Sequence, residues 1–84
     1  RLNMDIERIV YDSFAYLYDK GEEKRGGETL VSLPALLAAA EELPENDVLA
    51  VVDKWVAAGF LTRDGDLMGL TADGKTFFKA KYRV

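Results

Sequence analysis

The sequence contains no cysteine and no histidine. The first absence excludes disulfides, thiolate nucleophiles and cysteine-ligated metals. The second excludes imidazole acid–base chemistry, Ser-His triads and histidine-ligated metals. Glutamine is missing too, which removes one of the two side chains that read adenine best. No uninterrupted apolar stretch approaches the roughly 20 residues of a membrane span, and no secretory signal pattern opens the chain. The expectation is therefore no membrane partner and a cytoplasmic location. The first residue is Arg1 rather than methionine, as in a processed piece or an excised domain.

What is present suits one domain covering residues 1–84. Hydrophobic residues make up 49% and charged residues 31% of the 84, the balance of a globular chain rather than a disordered one. A chain of this size buries roughly 60–65% of its unfolded surface, so one compact core is feasible. Charge is unevenly placed. The net charge is −4, yet Lys75, Lys79, Lys81 and Arg83 fall in the last ten residues with no acid among them. The rest of the chain holds the other 7 basic and all 15 acidic side chains, a net −8.

Ile6, Ile9, Val10, Phe14 and Leu17 recur at helical spacing, which predicts a helix over residues 4–19 stopped by Lys20-Gly21. Residues 20–28 read as a polar, glycine-rich loop, and Thr29-Leu30-Val31 as a short strand. Ser32 is placed to cap a second helix with Pro34 in its first turn. Leu33, Leu36, Leu37 and Ala40 give that helix an apolar face, and Leu43-Pro44 closes it. A third helix begins near Glu45 or Asn46, with Val48, Val51, Val52, Trp55 and Val56 as core candidates and Gly59 as its left-handed cap. Phe60–Arg63 and Asp66–Leu70 then flank an Asp64-Gly65 turn, a hairpin signal. Thr71 can cap a last helix whose Phe77, Phe78 and Tyr82 pack inward.

The run Val48-x6-Trp55-x3-Gly59-Phe60-Leu61, followed by a hairpin and Leu70-Thr71-x2-Gly74, resembles the winged-helix superfamily, particularly MarR- and PadR-type regulators. The resemblance covers roughly Ile9 to Phe78. It implies an α+β winged helix: a three-helix core, a short three-stranded sheet with a β-hairpin wing, and a C-terminal helix. It also implies a double-stranded DNA partner read by the third helix, and a homodimer formed through the terminal helices.

The residues qualify the DNA reading. The groove-facing positions of the third helix are Asn46, Asp47, Leu49, Ala50, Asp53, Lys54 and Ala57. Only Asn46 and Lys54 offer base- or phosphate-binding groups there, and two aspartates carry the wrong sign for a polyanion. Arg63 on the wing is flanked by Asp64 and Asp66. What remains is a mode led by phosphate contacts, with Lys75, Lys79 and Arg83 on one helical stripe. Lys24 and Arg25 add a second patch if the first loop folds toward the same side. The candidate DNA-binding residues are thus Asn46, Lys54, Arg63, Lys75, Lys79 and Arg83.

The competing reading is a protein-interaction module. Its candidate interface is Tyr11, Ala15 and Tyr18, a second apolar line on the first helix, with Ala50 and Asp53 on the third. Tyrosine suits interfaces because its ring buries area while its hydroxyl stays satisfied.

Other motifs carry less. Gly69–Thr76 matches G-x4-G-K-T, but a phosphate loop needs a parallel sheet and a second acidic strand, neither of which is legible. Asp64-x-Asp66 starts like a calcium loop, yet Met68 and Lys75 occupy positions that require oxygen ligands. Glu22-Glu23 and Glu41-Glu42 are adjacent and point apart on a helix, Ser13 and Ser32 have no neighbouring base, and the spacing of Trp55 is that of a core anchor. No catalytic residue, cofactor or metal site is expected.

Overall fold

A computed structural model of the chain describes residues 5–82. Helix α1 spans Ile6–Lys20, and the Asp5 carboxylate caps it by accepting the Arg8 N–H at 3.1 Å. It ends where Gly21 takes φ 62, a left-handed conformation that costs glycine little.

The segment expected to be loop is largely sheet. Strand β1 (Glu23–Arg25) pairs antiparallel with β2 (Glu28–Ser32). Gly26 and Gly27 form the two-residue turn between them at φ 59 and 85, the double positive φ that tight hairpin turns demand. All three residues of β1 are exposed, so no apolar alternation marks the strand in the sequence.

Helix α2 covers only Leu33–Ala39, with the Ser32 hydroxyl accepting the Ala35 N–H at 3.2 Å. It stops four residues before the expected Leu43. Ala40 and Leu43 both turn into the core, and Pro44 disfavours helical backbone at Leu43. Helix α3 follows at Glu45–Ala57, with Gly59 just beyond its end at φ 85. Strands β3 (Leu61–Asp64) and β4 (Leu67–Leu70) form the wing. Asp64 pairs with Leu67, so the turn residues are Gly65 and Asp66, one position later than expected. Helix α4 is Ala72–Tyr82.

The sheet has four strands in the order β1-β2-β4-β3, rather than three. It curls enough for Arg25 on β1 to reach Asp64 on β3, at 3.1 Å. Thr71 ties the wing to the helices. Its hydroxyl accepts the Gly74 N–H at 2.9 Å and donates to the Gly59 carbonyl at 2.7 Å.

The core lies between the helices and the sheet. Val10 and Phe14 of α1 meet Leu36 of α2, Val48, Val52 and Trp55 of α3, Val31 and Met68 of the sheet, and Phe78 of α4. Burial of such side chains contributes about 1.5–3 kcal/mol each. Trp55 packs edge-on against Phe78 with centroids 4.8 Å apart, which makes it the core anchor its spacing implied. The order helix, strand, helix, helix, hairpin, helix on one antiparallel sheet is a winged helix, with an extra hairpin preceding α2.

Candidate functional site

Two surfaces collect the candidate residues. The first is the exposed face of α3 with the wing beside it. Asn46, Ala50, Asp53, Lys54 and Ala57 are all exposed, while Asp47 and Leu49, expected on the same face, are half-buried. Asn46, Ala50, Asp53 and Ala57 follow helical spacing, so the outward stripe is narrow and mostly small.

The cations of this surface are committed. Arg63 on the wing reaches Asp53 at 3.6 Å, and its Nε donates to the Gly65 carbonyl at 2.9 Å. Lys54 donates to the Glu7 carboxylate on α1, which Lys81 approaches at 3.4 Å. The hydrogen bond from Lys54, together with the charges of Lys54 and Lys81, holds the Glu7 carboxyl below the usual carboxylate range despite its partial burial. Arg25 is occupied by Asp64. Around the turn between α2 and α3, Glu41, Glu42 and Glu45 are exposed, and among the described residues no cation reaches them.

The second surface is a groove of about 250 Å³ between α1 and α4. Tyr11, Phe14 and Phe78 lie at its floor, Ala15, Tyr18 and Asp19 on the α1 side, and Lys75 and Lys79 on the α4 side. The predicted lysine stripe therefore borders α1 rather than the α3 face. Arg83, its third member, lies outside the described residues.

Tyr11 is not the free interface residue its spacing suggested. It is 7% exposed, stacked on Tyr82 with centroids 4.3 Å apart and tilted against Phe78 at 5.2 Å. Helix α4 runs antiparallel to α1 and covers this second apolar line at Tyr11 only. Ala15 and Tyr18 remain half-buried on the groove wall. Ala50 and Asp53, grouped with the tyrosines in the protein-docking reading, belong to the α3 surface and do not line the groove. The two halves of that interface are not brought together.

Lys24 and Arg25 separate because adjacent strand residues point to opposite faces. Arg25 turns to the wing. The Lys24 ammonium donates to the Thr29 hydroxyl at 3.0 Å, and Thr29 lines a depression shared with Tyr18 and Lys75. Among the described residues, Lys24, Lys75 and Lys79 are the cations with no carboxylate within ion-pair distance. Sequence reasoning missed the part played by Glu7, a single acid on the face of a helix with nothing in its spacing to mark it.

The phosphate-loop match dissolves in the fold. Gly69 lies within β4, and residues 72–76 are helical rather than looped around an anion site. A Cβ on Gly74 would collide with the Phe60 carbonyl, so that glycine serves the close approach of α4 to the end of α3. Among the described residues no group of three or more acids could hold a metal ion, and no helix is long and apolar enough to cross a membrane.

No protein-family model matches the chain, and no curated protein does. Among solved structures the chain is similar to one described as a type III plasmid segregation protein, TubR, at 26% sequence identity and a TM-score of 0.48, covering 96% of this chain and 91% of that one. The fold assignment accordingly stands on the chain's own topology: the winged-helix order of its elements, its antiparallel sheet and its threonine-capped helix after the wing.

Proposed function

We propose that the chain is a non-catalytic winged-helix recognition module that associates with double-stranded DNA mainly through phosphate contacts, in the manner of MarR- and PadR-type regulators. A cytoplasmic location goes with this reading. The observation that carries it is the open face of α3. Its small outward stripe allows close approach of a duplex, and Lys54 and Arg63 stand beside it in exposed ion pairs. Exposed pairs contribute about 0–1 kcal/mol, so a phosphate can displace Asp53 at little cost, and Lys81 stays beside the half-buried Glu7 carboxylate when Lys54 turns to a phosphate. Arg25 on the neighbouring hairpin is held in the same replaceable way. Asn46 at the start of α3 is the one side chain on that face suited to adenine.

The test is a salt titration of binding to labelled random-sequence duplex by fluorescence anisotropy. Engagement of Lys54, Arg63 and Arg25 predicts a log–log salt slope of about −2 to −3, since each neutralised phosphate contributes about −0.9. Lys54→Ala with Arg63→Ala should reduce its magnitude by about 2. Absence of binding at low salt would remove the proposal. It would favour the second reading, a protein-interaction module with no direct DNA contact, for which the open Glu41, Glu42 and Glu45 beside α3 already speak.

A further inference from the structure

The extra hairpin of β1 and β2 lies at one end of the groove between α1 and α4 and extends it. A polar depression of about 190 Å³ is bordered by Tyr18, Gly27, Glu28, Thr29, Leu70 and Lys75. It shares Tyr18, Leu70 and Lys75 with the apolar groove of about 250 Å³. The two form one trough, with an apolar half over Phe14 and Phe78 and a polar half against the hairpin. Together they reach the size of small-ligand sites, roughly 300–1,000 Å³.

The cations of this trough differ from the others. Arg8, Lys20, Arg25, Lys54, Arg63 and Lys81 each pair with a carboxylate. Among the described residues Lys24, Lys75 and Lys79 do not, and all three stand at the trough. In a chain with an excess of acid, the uncompensated positive charge is gathered around one concavity. The Lys24 ammonium is held there, donating to the Thr29 hydroxyl at 3.0 Å and lying over Gly21, where a Cβ would come within 3.4 Å of it. Because the hydroxyl accepts that bond, its own proton is free to be donated to a ligand.

We propose that the trough binds a small phosphate monoester with a compact apolar body, the body lying over Phe14 and Phe78 and the phosphate against Lys24, Thr29 and Lys75. Two ammonium groups and a hydroxyl match an anion with close to two charges and three acceptor oxygens. A phosphate monoester has both near neutral pH, and a carboxylate has neither. Asp19 borders the apolar half, away from the phosphate position, whereas Glu28 borders the polar half and opposes the anion. The α3 face takes no part, so this site stands apart from the DNA reading. The hairpin supplies Lys24 and Thr29, so a winged helix without it would have only the apolar half.

The test uses 1-naphthyl phosphate as the probe on the full chain, without DNA, and follows backbone amide shifts by nuclear magnetic resonance. Saturable shifts should centre on Thr29, Leu70 and Lys75, with a dissociation constant of about 0.1–1 mM for a probe of about 15 non-hydrogen atoms. Inorganic phosphate and 1-naphthol each carry half of the chemistry, and 1-naphthoate carries the wrong anion; each should bind about fivefold more weakly or worse. Lys24→Gln and Lys75→Gln should each weaken the probe by about fivefold or more, and Glu28→Gln should tighten it by about twofold. All three residues are exposed, and the amide spectrum of each variant shows whether it is folded. Absence of saturable shifts up to about 5 mM probe, shifts centred elsewhere, or an affinity unchanged in both lysine variants would overturn the proposal. Naphthoate or inorganic phosphate binding as tightly as the probe would overturn the ligand class.

Discussion

Replacing Gly74 by alanine pits local propensity against tertiary packing, and the sign of the result separates the two. In an unconstrained helix, Gly→Ala stabilises by about 1 kcal/mol. Here the added Cβ collides with the Phe60 carbonyl, with its carbon at 2.9 Å and Leu70 Cδ1 at 3.0 Å. The clash is with backbone, so no rotamer relieves it. Helix α4 must back away by more than an ångström to reach ordinary contact. That movement stretches the 3.1 Å hydrogen bond from the Thr71 N–H to the Phe60 carbonyl, and opens the Phe60–Phe77 stack, whose centroids are 4.1 Å apart. The hydrogen bond contributes about 1 kcal/mol, and the stack about 1 more. Residual overpacking adds about 1 kcal/mol or more, so after the propensity gain the net loss is about 2–4 kcal/mol. For a domain of this size the melting temperature should fall by about 10–25 °C. Urea unfolding followed by Trp55 fluorescence measures the difference directly. Gly69→Ala is the control, because its nearest neighbours are the Thr62 hydroxyl and a Leu30 methyl, side-chain groups able to move. A Gly74→Ala protein as stable as the parent, or more so, would refute the close-approach argument and leave that glycine unexplained.

Two further outcomes follow from buried polar groups. The Tyr82 hydroxyl is buried with no hydrogen-bond partner among the described residues, so Tyr82→Phe should leave stability unchanged or raise it by up to about 1 kcal/mol in the same urea assay; a loss above 1 kcal/mol would contradict it. The pH limits should be set by named groups. Burial, with nearby carboxylates, pushes the Tyr11 and Tyr82 phenols above their ordinary value. The folded state therefore holds those protons longer, and stability present below about pH 10 is lost as pH rises past it. Glu7 is depressed, so its contribution is present above about pH 4.3 and is lost as pH falls through the folded value. Melting temperatures across pH should show both limbs, the acid one flattened in Glu7→Gln and the alkaline one in Tyr11→Phe with Tyr82→Phe.

Most of the scaffold was legible because its signals are local. Ser32 and Thr71 cap the helices they were assigned, Gly59 follows α3 in the left-handed region, and Val48, Val52 and Trp55 face inward as their spacing required. The elements that escaped are those defined by a partner. Strand β1 has three exposed polar residues and exists because β2 lies beside it, and α2 ends early because Ala40 and Leu43 are drawn into a core assembled from distant segments. The surfaces were less legible for the same reason. Periodicity showed Tyr11 on a second line of α1 but not that α4 would cover it. It showed Lys75 and Lys79 on one stripe but not that the stripe would border Asp19. Composition revealed the excess of acid, while only the fold shows that Lys54 and Arg63 are held by Glu7 and Asp53.

The four-stranded sheet has two open borders, β1 and β3, and each presents unpaired backbone to solvent. Such borders invite another chain to add a strand and begin an aggregate. Here one border is Glu23-Lys24-Arg25, exposed along its whole length, and the other exposes Thr62, Arg63 and Asp64 after a single buried leucine. An incoming strand would have to desolvate charges of both signs, and each border is short, with the curl turning the two toward each other. The hairpin before α2 thus replaces the more apolar border that Thr29-Leu30-Val31 would otherwise form. Growth by strand addition is thus disfavoured at both ends of the sheet.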